Sequence, residues 1–82
     1  MLNYKGANHQ EAFAAASNDS TWSKPEQKVL AQIAEALEDG IFGHESVCSE
    51  NIGSGRTYWI KGSKIQFHVH DASQGYNLGR VK

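Results

Sequence analysis

The residues best suited to chemistry here are two histidines one position apart, His68 and His70, in the alternating run Lys64-Ile65-Gln66-Phe67-His68-Val69-His70. On an extended strand, residues i and i+2 project from one face about 7 Å apart, so both imidazoles are presented together. A metal site would use their nitrogens but needs a third and usually a fourth ligand. Asp71 points to the other face or into the turn that follows, which leaves only His9 or His44, folding over, to supply one. Cleavage of a phosphodiester would use one imidazole as base and the other as acid, with Lys64 or Lys61 stabilising the developing negative charge. The commoner state of such histidines is simply to face solvent. The expectation is therefore no metal, no cofactor and no catalytic set, with a small ribonuclease using His68 and His70 kept as the third of three functional readings.

Other chemistry is excluded more quickly. Gly53-Ser54-Gly55 lacks the lysine and spacing of a phosphate-binding loop and reads as a hairpin turn, and there is no Gly-x-Ser-x-Gly elbow. Cys48 is the only cysteine, which rules out an intrachain disulfide and a cysteine-rich zinc site. In an alternating strand it is expected as a small buried residue. A reducing compartment suits this usage, and Met1 to Gln10 contains no apolar run that would serve as a signal or membrane segment. The expected location is the cytoplasm, without membrane contact.

The elements that must position these residues follow from periodicity. Asn8 followed by Glu11 resembles a capping box ahead of an alanine-rich stretch, which predicts a short helix over 11–16. Ser23, Pro25 and Glu26 are a strong helix start, and Val29, Leu30, Ile33, Ala34 and Leu37 line one face before Gly40. A long amphipathic helix is predicted over 24–39, with Trp22 packed against its start. After Ile41, Phe42 and Gly43 the period becomes two, giving strands over 47–52, 56–61 and 64–70 and a last edge strand over 76–81.

Between the second and third of these, Gly62-Ser63 reads as a two-residue type II′ turn. That turn sets Lys61 opposite Lys64, Ile60 opposite Ile65, Tyr58 opposite Phe67 and Arg56 opposite Val69. Tyr58, Ile60, Ile65, Phe67 and Val69 then form the face covered by the long helix, while Thr57, Trp59, Lys61, Lys64, Gln66, His68 and His70 form the opposite face. The expected fold is a single α+β domain over 1–82, a two-layer sandwich of a short and a long helix on a three- or four-stranded antiparallel sheet in the order α-α-β-β-β-(β).

Residues 56–67, with Lys61, Gly62, Ser63 and Phe67 after an upstream Gly40, Ile41 and Phe42, resemble the strand hairpin of HicA-type mRNA interferase toxins. Those toxins carry a histidine directly after the Gly-Ser pair, where this chain has Lys64. It also has extra residues between Phe42 and the hairpin and no clear closing helix, so no site residue is carried over from the resemblance.

Formal charge is −1 in total but sorted along the chain. Residues 1–52 hold three lysines against eight carboxylates, and residues 53–82 hold five basic residues against Asp71 alone. Such polarity favours an oriented encounter with a charged partner. An exposed tryptophan amid basic and hydrogen-bonding side chains has the composition of an interface hot spot. The leading expectation is a small non-enzymatic protein that binds, and inhibits or regulates, a protein partner through Trp59, Thr57, Lys61, Lys64, Gln66, His68, His70 and Arg56. Phage and mobile-element accessory proteins, including inhibitors of host defence, are often compact chains of this kind, and a homodimer is a further arrangement in keeping with the small core. The alternative is nucleic-acid binding on the same surface, with Trp59 stacking on a base and Arg56, Lys61 and Lys64 meeting phosphates. Five basic residues against eight acidic ones elsewhere make a poor attractor for a polyanion.

Overall fold

A computed structural model of the chain describes residues 2–40 and 46–81. Two helices pack on one face of a five-stranded antiparallel sheet. The elements are β1 (Leu2–Tyr4), α1 (His9–Ser17), α2 (Lys24–Glu38), β2 (Val47–Asn51), β3 (Gly55–Ile60), β4 (Gln66–Asp71) and β5 (Tyr76–Arg80). Strands β2 to β5 run as a meander, and β1 adds itself to the outer side of β5. Among the described residues no helix is long and apolar enough to cross a membrane.

The start of α2 forms as the sequence predicts, while α1 keeps its Asn8 cap without a closed box and runs from His9 to Ser17 rather than over 11–16. The Ser23 hydroxyl accepts the Glu26 N–H while the Glu26 carboxylate accepts the Ser23 N–H, closing the capping box of α2. In α1 the Asn8 side chain accepts the Glu11 N–H, but Glu11 reaches back to the N–H of Ala7 rather than of Asn8. Gly40, at φ 91°, follows the C-cap of α2 in the left-handed region. Because α2 packs on α1 as well as on the sheet, Ala36 is buried too, and Leu37 is only half-buried.

The register is the predicted one: Tyr58 faces Phe67 and Arg56 faces Val69. The turn that sets it is not. The Ser63 N–H bonds the Ile60 carbonyl at 2.9 Å, and Gly62, at φ 86°, takes the third position of that turn, as in type II geometry. The ladder therefore closes at Trp59–Gln66, and Lys61 to Ile65 form a loop, so Lys61 and Lys64 are not paired across strands. A symmetrical widening of the loop preserves every pairing beyond it, which is why the register survives the wrong turn.

Two further expectations need correcting. The sheet has five strands rather than three or four, because Leu2-Asn3-Tyr4 pairs with Leu78-Asn77-Tyr76. Three residues are too short to show a period of their own. With β1 in place, β5 is an interior strand rather than an edge, and Leu78 is fully buried. The segment holding Ile41, Phe42, Gly43 and His44 lies outside the described residues.

The core lies between the helices and the sheet. Phe13, Leu30, Ile33, Phe67, Val69 and Leu78 are fully buried. Phe13 meets Tyr58 and Phe67 edge-on, and Trp22 meets Phe67 edge-on at 5.4 Å between ring centres. Ile60 and Ile65, at the loop end of the hairpin, are only half-buried against this core.

Candidate functional site

Helices cover one face of the sheet, and the other carries the residues read from the sequence as a working surface. Strict alternation places Asn3, Cys48, Glu50, Thr57, Trp59, Gln66, His68, His70 and Asn77 on the open face, with Gly55 and Gly79 between them. Trp59 sits between Cys48 and Gln66 and is half-buried among its neighbours. Cys48, expected to be buried, is itself half-exposed beside the indole.

His68 and His70 lie together on this face, ring centres 5.8 Å apart. Each is held by a hydroxyl: His68 Nδ1 lies 2.9 Å from Thr57 Oγ1, and His70 Nδ1 lies 2.7 Å from Ser54 Oγ. Thr57 is almost wholly buried, at 5% exposure, so it orients His68 rather than offering a contact of its own. His70 faces Gly55 on β3, and His68 faces Gly79 on β5. A β-carbon on Gly55 would run into the Val69 carbonyl, so a close backbone approach fixes glycine there, and no side chain of β3 stands directly across from His70.

The rest of the sequence-predicted surface is dispersed. Arg56 lies on the helix side of the sheet, where its guanidinium donates to Ser49 Oγ at 3.3 Å. Lys61 and Lys64 sit in the loop past the end of the ladder, away from the histidines. The side chains that the strands turn to the open face thus include no lysine or arginine, and Glu50 is the one formal charge among them. The basic surface that a nucleic-acid interface or a phosphodiester transition state needs is not assembled there.

Neither a protein-family model, nor a curated protein, nor a solved structure matches this chain. Function must be argued from the geometry alone.

A polar cluster that the sequence reading missed lies on the covered face. His9 opens α1, and its ring lies 2.9 Å from the Tyr58 hydroxyl through Nδ1 and 3.2 Å from Asp71 Oδ1 through Nε2. A carboxylate only accepts, so in the neutral ring Nε2–H donates to Asp71 and Nδ1 accepts from Tyr58. Tyr76 meets the imidazole edge-on at 5.0 Å. An open cleft of about 560 Å³ runs past Asn8, His9, Gln10, Leu37, Asp71 and Tyr76. Both imidazole nitrogens are committed, so the His9 ring offers no free nitrogen to the cleft, and the cluster ties α1 to the ends of β4 and β5. Burial raises the Tyr58 hydroxyl above the ordinary phenol range, with Asp71 adding to the rise and Arg56 opposing it. A buried tyrosine hydroxyl requires a partner, so Tyr58 on the predicted core face was a signal, though nothing local named His9.

The second closed network holds Trp22 and Tyr4. The indole N–H donates to the Tyr4 hydroxyl at 2.7 Å, which donates in turn to Asp19 Oδ2 at 2.7 Å. Burial first, and then the bond to Asp19, push Tyr4 up to about 12. Bonds from Thr21 and then Tyr4 hold the Asp19 carboxyl below its usual range.

Ser54 and His70 have the first two parts of a serine–histidine nucleophile. The third is lacking among the described residues: Asp71 lies on the other face with His9, and no carboxylate orients the His70 ring.

Proposed function

We propose that this chain is a small non-enzymatic binding protein whose open sheet face docks a protein partner, with Trp59 as the anchor. The observation that carries the proposal is the uncovered face itself. A large aromatic stands half-exposed on it among Cys48, Gln66 and the two histidines, on a strand face without a lysine or arginine. Aromatic anchors set among hydrogen-bonding side chains are what concentrates binding energy at protein interfaces. A polyanion, in contrast, is attracted mainly by basic charge, and here Arg56 is turned to the other face. So small a chain acts through its surface, and blocking or regulating the partner is the action proposed, as an accessory protein of a mobile element would act on a host system.

Co-purification from the source cell tests this, using wild type, Trp59→Ala and Ala31→Glu as baits, the last altering an exposed position on α2. The expected result is a protein enriched by wild type and Ala31→Glu but lost with Trp59→Ala. Retention by Trp59→Ala, or capture of nucleic acid that is released steeply by salt, would overturn the reading. Recovery of the chain alone as a dimer dependent on Trp59 would replace the partner with a second copy.

A further inference from the structure

We propose that His68 and His70 form a two-histidine chelate for one borderline divalent transition-metal ion, with solvent water completing its coordination. This inference concerns the chain alone and does not rest on the partner reading. Its starting point is the pairing of both Nδ1 atoms with hydroxyls, Thr57 Oγ1 at 2.9 Å and Ser54 Oγ at 2.7 Å. A hydroxyl accepts as readily as it donates. When each Nδ1–H donates to its hydroxyl, the Nε2 atom keeps its lone pair, and no described residue bonds either Nε2. Fixing one ring nitrogen so that the other ligates is the usual outer-sphere arrangement around metal-bound histidine.

Spacing allows the same conclusion. Imidazole nitrogens sit about 2 Å from a bound ion, so two rings on one ion have centres roughly 4.5 to 5 Å apart at square or tetrahedral angles. The observed separation is 5.8 Å, so the two rings must close on one another by rotation about their side-chain bonds to share an ion. Glycine stands across from each histidine, Gly55 for His70 and Gly79 for His68, so no side chain on those flanks competes for the space. Imidazole selects copper, nickel or zinc over magnesium or calcium.

The test is calorimetric titration of tag-free protein, in a Cys48→Ser background that removes the thiol on the same face. Ni²⁺ and Cu²⁺ are expected to bind with one-to-one stoichiometry, Cu²⁺ the more tightly, while Mg²⁺ does not bind. His68→Gln and His70→Gln should each abolish saturable binding without altering the fold by circular dichroism. Ser54→Ala, in an exposed turn, should weaken binding by about 10-fold. Absence of saturable binding, or equal affinity in wild type and His68→Gln, overturns the site. Unchanged affinity in Ser54→Ala overturns the role given to the hydroxyls.

Discussion

The two faces of the sheet treat their polar groups in opposite ways. Among the described residues, the polar side chains of the covered side are closed into protein bonds: Tyr58 to His9 to Asp71, Trp22 to Tyr4 to Asp19, Arg80 to Glu26 and, between strands, Arg56 to Ser49. On the open face each histidine spends one nitrogen on a hydroxyl and keeps the other. Burial explains the bonds of Tyr58, Tyr4 and Trp22, because an unpaired polar group under the helices would cost about 1 to 3 kcal/mol, whereas Arg80–Glu26 and the Asp71 end of the His9 cluster lie at the exposed margin. The second pattern is tolerated because water reaches it, and it leaves bonding capacity for a ligand.

Breaking the covered face should have the largest effect. Phe67→Ala removes a fully buried ring that meets both Phe13 and Trp22 and should cost about 3 to 5 kcal/mol, while Leu30→Ala and Ile33→Ala should cost about 2 to 5. Urea denaturation reads these values, and wild-type stability for all three would refute the placement of the core.

The closed networks predict a plateau in stability against pH. Tyr4, raised to about 12, and Tyr58, also raised, favour their neutral forms in the folded state. Their contribution is fully present below the ordinary phenol value of about 10 and is lost as pH rises through the folded values. Glu26, held low by bonds from Ser23 and then by Arg80, and Asp19 behave in the opposite sense. Their contribution is present above about pH 4 and is lost as pH falls through the depressed values. Thermal melts from pH 3 to 11 should therefore peak between these limits, and a Tyr4→Phe variant should lose part of the alkaline fall. A fall of the same size in Tyr4→Phe would remove Tyr4 from the explanation.

A smaller effect sharpens the local end of the argument. Ser23→Ala opens the capping box and should cost about 1 kcal/mol by the same denaturation measurement. A neutral result would mean that packing alone sets the start of α2.

How much of this was legible in the sequence depended on whether the signal was local. Ser23, Pro25 and Glu26 announce α2 because a cap is made by neighbours, and alternation placed Trp59, His68 and His70 on one face because strand period does not depend on what packs against it. The turn was misread because Gly62 takes a positive φ in either candidate turn, and only the Ser63–Ile60 hydrogen bond tells them apart. Strand β1 and the His9–Tyr58–Asp71 cluster were not legible at all: their partners lie far along the chain, so only tertiary packing brings them together. Arg56 was assigned to the working surface despite a register that already placed it beside Val69 on the covered side, and the structure follows the register.

If the open face binds while the covered face folds, Trp59→Ala separates the two. Once a partner is in hand, its affinity for this variant should be measured beside the variant's own stability. The account predicts a loss of about 2 kcal/mol or more in binding, roughly 30-fold in Kd, with under about 1 kcal/mol lost in folding. Unchanged affinity, or unfolding of the variant while its folded fraction still binds normally, would contradict it and move the functional face elsewhere.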